Sequence, residues 1–225
     1  MTNTNFYKDA VEYWTKIEPT VDGMLGGFGR GRIPRVDALA SRQFLNRLKS
    51  RWQDIQPAVA ADCGAGIGRV TENVLLSFFQ HVDLVEPIPK FLDTAKEQLK
   101  EKPCDFFCTG LEKWTPEHGK YAVIWNQWCL SHLTDEDLLA YLVRAQKALV
   151  PNGVICVKEN IAHFKDCFDE QDSSVTRTEA SYKQIFQKAG LEVVQEALQH
   201  GFPDDLFPVK MFALVPKQAS QRKEC

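Results

Sequence analysis

The sequence predicts an α/β fold: a mostly parallel sheet with helices on both faces, closed near its carboxyl end by an antiparallel hairpin. Three observations carry this. Apolar stretches rich in valine and isoleucine alternate with helical stretches, the pattern of βαβ units whose strands are buried on both faces. The glycine-rich run "DCGAGIGRV", beginning at Asp62, separates the strand-like "PAVAA" from the helical "TENVLLSFF". Finally, two strand patterns succeed one another with only the turn-like "HGFPDD" between them.

At the amino terminus, "NFYKDAVEYWTKI" puts Phe6, Ala10, Trp14 and Ile17 at helical spacing and leaves Lys8, Asp9, Glu12 and Lys16 outside, so it reads as an amphipathic helix. "TVDGMLGGFGRGRIP" is too rich in glycine to continue that helix. Its apolar Val21, Met24, Leu25 and Phe28 suggest a loop lying over something rather than a solvated linker. A second helix is expected from Val36 to Trp52. "AVAADCG", "HVDLVEP", "CDFFCTG", "YAVIWNQW" and "GVICVKEN" then read as five strands, with a short turn between the third and fourth and helices between the others. "RTEASYKQIFQKAG" reads as a helix ending at Gly190, and "LEVVQEAL" and "PVKMFALVP" bring the strands to seven. The expected organisation is one compact domain: helices and the glycine-rich segment over 1–52, the α/β core over 53–216, and a disordered tail over 217–225.

A chain of 225 residues, 44% of them hydrophobic, buries one sizeable core. No apolar run reaches membrane-spanning length, and the start lacks a basic region followed by an apolar one, so neither a bilayer nor secretion is expected. Seven cysteines in largely apolar surroundings suggest reduced, mostly buried thiols in a cytoplasmic or nuclear protein. Cys104 and Cys108 lack a second ligand pair for zinc, so no metal is expected. A net charge of -3 supplies no global basic field for nucleic acid.

The ligand crevice of such a sheet lies outside the carboxyl ends of its strands, where "DCGAGIG" falls. A dinucleotide fingerprint would place its third glycine where this chain has Arg69, which disfavours a nicotinamide cofactor. S-adenosylmethionine has no phosphate but carries a carboxylate, for which a guanidinium beside the loop is well placed. Glu86, ending the second strand, reads either as an acceptor for both ribose hydroxyls or as a solvated strand end.

"DCGAGIGR", "DLVEP", "VIWNQWCLSHL", "LVPNGVICVKEN" and the closing hairpin resemble a Rossmann-like class I S-adenosylmethionine-dependent methyltransferase. "YWTKIEPTVDGMLGGFG", "WNQWCLSHLTD", "VKEN" and "DEQDSSVTR" are similar, nearly word for word, to the eukaryotic α-N-terminal protein methyltransferases, over about Tyr7 to Leu214. That family methylates exposed Xaa-Pro-Lys/Arg amino termini, ribosomal proteins among them. The resemblance implies S-adenosylmethionine, leaving as S-adenosylhomocysteine, held by Gly64, Arg69, Glu86, Pro87, Ile88, Leu111, Glu112 and Gln127. Animal members carry aspartate at the Glu86 position and glutamine at the Glu112 position. A small-molecule methyltransferase and a non-catalytic, cofactor-binding adaptor are the alternatives.

An α-amine is mostly protonated at neutral pH and must lose that proton before methyl transfer. His132, past the fourth strand, and Asp172, in the acidic stretch after the fifth, are the candidate acceptors, and the resemblance implicates both. From the residues alone, His132 could be a helix-flanking histidine bonded to backbone, and Asp172 or Ser173 could cap the next helix. "FKDCFDEQDSS" supplies Asp169, Glu170 and Asp172 for a basic third residue, and the resemblance puts Asp169, Asp172 and Ser174 at that cation. Asn160 is positioned to bond the peptide backbone, or is an ordinary strand-end asparagine. Trp14 and Trp128 suit walls for a proline ring, or are plain core. Leu25 would close the channel, and Phe207 stands where relatives have tyrosine.

Overall fold

Seven strands build one sheet in this computed structural model, which describes residues 5–217. In chain order they are β1 (Val59–Cys63), β2 (His81–Val85), β3 (Cys104–Phe107), β4 (Tyr121–Gln127), β5 (Leu149–Asn160), β8 (Leu191–Leu198) and β9 (Val209–Pro216). β6 (Cys167–Asp169) and β7 (Ser174–Thr176) form a separate small hairpin. The spatial order is β3-β2-β1-β4-β5-β9-β8; β1 to β5 pair in parallel, and β9 runs antiparallel to both β5 and β8. The expected tail lies, from residue 218 on, outside the described residues.

The helices are α1 (Phe6–Lys16), α2 (Val21–Met24), α3 (Ile33–Asn46), α4 (Arg69–Asn73), α5 (Pro89–Gln98), α6 (Asp135–Lys147) and α7 (Glu179–Lys188). Leu138, Leu142, Tyr182 and Phe186 from α6 and α7 cover one face of the sheet; Phe44, Leu45, Val70, Leu92 and Ala95 from α3 to α5 cover the other. β4 is buried along its whole length, so its side chains alternate between two apolar cores: Ile124 enters the first and Trp125 the second. Strand order reverses between β1 and β4, which opens a crevice above their carboxyl ends. The amino-terminal segment covers it, with Trp14, Ile17 and Met24 packed against Ile67, Ile88 and Phe91.

Several local expectations need correction. The second helix starts at Ile33, not Val36, because Pro34 in its first turn already holds the helical φ; it stops at Asn46, and a separate 3₁₀ turn covers Lys49–Arg51. Inside the glycine-rich segment, Thr20 caps α2 by accepting the Gly23 N–H at 3.1 Å. Neither Asp172 nor Ser173 caps α7: that cap is Thr178, whose hydroxyl accepts from Ser181 N at 3.1 Å. Both belong instead to the β6–β7 turn. Cys63, Cys129 and Cys156 are buried as expected, but Cys104 is half-buried, and Cys108 and Cys167 are exposed.

Candidate active site

The crevice is a cavity of about 520 Å³, and the predicted site residues other than Glu170 line it. Gly64, Arg69, Glu86, Pro87, Ile88, Leu111, Glu112 and Gln127 come from the ends of β1, β2 and β4 and the segments that follow the strands. Trp14 and Leu25 come from the amino-terminal cover, Trp128 and His132 from the segment after β4, and Asn160 from the end of β5. Asp169, Asp172 and Ser174 line the cavity from the small hairpin, and Phe207 from the segment before β9. Glu170 is not among the lining residues.

Backbone demands explain the glycines. Gly64 has φ +65, and a Cβ there would stand 2.4 Å from the Cys129 Cβ; at Gly66 a Cβ would stand 2.7 Å from the Met24 sulfur. The loop therefore lets the β4 exit and the amino-terminal cover approach closely. Glu86 is fixed beneath it, its Oε2 accepting Gly66 N at 2.9 Å and its Oε1 accepting Ile88 N at 2.8 Å. Each oxygen retains a lone pair for a further donor. Burial pushes this carboxyl up to about 7, against the pull of those two N–H groups.

Sequence reasoning missed the cluster behind Arg69. Asp37 on α3 accepts from Arg69 Nη1 at 2.5 Å, Lys158 Nζ at 2.5 Å and Gln127 Nε2 at 2.9 Å, while Lys158 also donates to Ser41 Oγ at 3.0 Å. Burial raises the Asp37 carboxyl, but the Lys158 and Arg69 charges outweigh it and the net shift is downward. Arg69 and Lys158 share the Asp37 carboxylate, and the buried Asp62 carboxyl also interacts with Arg69, so the guanidinium is held at the cavity wall by surrounding acids. The signal was available: Asp37 and Ser41 continue the buried stripe of Ile33, Phe44 and Leu45. Polar residues on a buried stripe demand partners. Asp37→Ala leaves two buried cations without a counter-charge and is expected to cost about 3–5 kcal/mol, read as a lower urea midpoint. An unchanged midpoint would contradict this balance.

The turn bearing His132 is clamped from both sides. Glu159 Oε1 accepts the N–H groups of Cys129 and Leu130, each at 2.8 Å, and the fully buried Arg177 donates to the carbonyls of Leu130 and Leu133 at 3.0 and 2.5 Å. Trp128 and Ser173, both with φ +53, are held in the left-handed region unusual for such residues, and they flank the site. His132 and Trp14 meet at the cavity wall, and Trp14 also packs against the apolar cluster of Ile67, Ile88 and Phe91. Trp14 Nε1 donates to His132 Nε2 at 3.1 Å, which puts the proton of the neutral imidazole on Nδ1. Burial lowers the His132 pKa below its usual value, opposed by the Asp172 charge and a hydrogen bond to the Ser173 backbone. Among the described residues, Trp128 Nε1 and Asp172 Oδ1 of the lining are buried without a hydrogen-bond partner.

A family model described as AdoMet-dependent proline di-methyltransferase matches residues 2–215. The alpha N-terminal protein methyltransferase 1 of Schizosaccharomyces pombe is 63% identical over 216 residues, which are 96% of this chain and 99% of the relative. The N-terminal Xaa-Pro-Lys N-methyltransferase 1 of Mus musculus is 43% identical, over 93% of this chain and 95% of the relative. A solved S-adenosylmethionine-dependent methyltransferase from Leishmania major superposes with a TM-score of 0.87 at 39% identity, over 93% of this chain and 82% of that one.

Proposed function

The chain belongs to the AdoMet-dependent proline di-methyltransferase family, and from that premise we propose that it methylates the α-amine of proteins beginning Xaa-Pro-Lys or Xaa-Pro-Arg, in up to three rounds. One observation carries the reading of the site. A single cavity brings Gly64, Arg69 and Glu86 at the strand ends together with Trp14, Trp128, Asp169 and Asp172, so a nucleoside cofactor and a cationic, partly apolar chain end can meet in it. A peptide amino terminus has the required mixture of amine, carbonyl and apolar ring.

The residues at the strand ends fit S-adenosylmethionine. Glu86 has lone pairs free for ribose hydroxyls, the Arg69 guanidinium suits the methionine carboxylate, and Leu111 and Ile88 supply apolar surface for the adenine. When bound, that cofactor supplies an electrophilic methyl group on a sulfonium. The protein's own residues do the rest. In this reading Asp172 Oδ1 accepts the proton, or the N–H, of the substrate amine, leaving a lone pair to be aimed at the methyl carbon. His132 has its Nε2 lone pair occupied by the Trp14 indole, so it orients Trp14 and presents an Nδ1–H donor rather than acting as the base. Trp128 Nε1 donates to a peptide carbonyl, and Asn160 bonds to the backbone beyond it.

Asp169 and Ser174, opposite each other in the β6–β7 register, hold the basic third side chain. Their field and that of Asp172 reach as far as Tyr13, whose hydroxyl pKa is raised by burial and by the charges of Asp172 and Asp169. Trp14, Leu25 and Phe207 enclose the proline ring, a group without an N–H that apolar walls recognise better than polar ones. Ribosomal proteins are among the substrates we infer, in the cytosol, the nucleus or both; the free thiols suit a reducing compartment. The test compares a Ser-Pro-Lys peptide with its amino-acetylated form. The free peptide should acquire methyl groups and the acetylated one, whose nitrogen lone pair is delocalised, should not; equal labelling would overturn the reading.

A further inference from the structure

Phe164 is 98% exposed, the extreme among the large apolar side chains of the described residues. Its loop is nevertheless tied down at both ends. Ile161 N donates to Pro208 O at 2.8 Å, Ala162 N donates to Arg177 O at 2.9 Å, and the Asp166 carboxylate accepts Thr178 N at 2.7 Å. A tethered loop thus holds a phenyl ring in water. The ring continues an aromatic row: Phe164 meets His163 at 6.1 Å between centroids, and His163 meets Phe207, a cavity wall, at 6.3 Å. Phe207 is itself 40% exposed, so the row runs from the cavity to open solvent.

The position of this loop in the chain matters. It joins Asn160 to β6, and β6 ends in Asp169; both are cavity walls that the proposed function assigns to the peptide backbone and the third side chain. A substrate whose first three residues fill the cavity leaves it beside this loop. We propose that Phe164, His163 and Phe207 form an exit rim that binds apolar residues at positions four to six of the substrate, so that the enzyme ranks Xaa-Pro-Lys ends by the residues after the third. The rim rests on the function proposed for the cavity. Apolar contact with an exposed ring is favourable in proportion to the area covered, and one aromatic side chain seated on the rim removes the ring face from water.

Two peptides share the head Ser-Pro-Lys; one continues with three glycines, the other with Phe-Leu-Val. Their dissociation constants are measured by calorimetry in the presence of S-adenosylhomocysteine, and their methylation is followed separately. The apolar peptide should bind about 5–20-fold more tightly, equivalent to about 1–1.8 kcal/mol. Phe164→Ser, at a site exposed to solvent, should reduce that ratio to within about twofold, while Phe164→Leu should retain part of it. Equal affinities for the two peptides, or a ratio untouched by Phe164→Ser, would overturn the rim while both peptides were still methylated. Methylation of neither peptide is a different result and would overturn the underlying function together with the rim.

Discussion

Asp172→Asn lowers kcat on a Ser-Pro-Lys peptide by about a hundredfold or more at pH 7, the scale of a lost acid–base contribution. The substitution keeps the shape of the side chain and removes its basicity. It also converts one acceptor into an N–H donor that faces the substrate amine. Folding should not suffer, because Asp172 Oδ1 is buried and accepts no hydrogen bond from the described residues. The thermal midpoint should therefore hold or rise while activity falls, as expected where a site is built for its guest. A pH series separates proton removal from mere positioning. The free α-amine titrates near 8, so above about pH 9 it arrives already neutral and the deficit of the variant should narrow. A deficit that stays constant with pH would assign Asp172 to positioning, and an unchanged kcat would remove it from the mechanism.

Replacing the substrate's third-position lysine with glutamate lowers kcat/KM by about a hundredfold or more, because like charges juxtaposed at an interface cost several kcal/mol. Asp169 and Asp172 both line the cavity, so a carboxylate at the third position faces two like charges there. Arginine at the same position should be accepted, since its guanidinium meets carboxylates at least as well as an ammonium does. Comparable kcat/KM for the lysine and glutamate peptides would leave the hairpin without its assigned part in recognition.

The two sides of the cavity were unequally legible in the sequence. The cofactor side could be read because its chemistry is local: Gly64, Gly66 and Arg69 lie in one run, and Glu86 ends the next strand. Roles for His132 and Asp172 could not be settled in this way. Their environments depend on Trp14, which is distant in sequence, and on a hairpin whose strands are only three residues each. So short a pair carries too little alternation to be distinguished from a capping segment. The indole that occupies His132 Nε2 reaches it from the first helix, a contact that no local pattern announces.

The supporting charges were hidden for the same reason. Asp37 and Lys158 meet across 121 residues, and Arg177 reaches back to the carbonyl of Leu130. Nothing in the local sequence of Lys158 or Arg177 names a partner so far along the chain; burial does, because a buried charge requires one. The helix boundary at Ile33 and the exposed Cys108 and Cys167 are smaller differences of the same kind, decided by proline geometry and by packing rather than by composition.

The central claim is that the nitrogen of a chain end, rather than a side chain or a small molecule, receives the methyl group. Tandem mass spectrometry of a Ser-Pro-Lys peptide incubated with the protein and S-adenosylmethionine tests it most directly. Successive additions of one, two and three methyl groups are expected, all carried by the fragment that contains the first residue and none by the lysine. A peptide that keeps its starting mass, or one whose added mass travels with the lysine side chain, would contradict it.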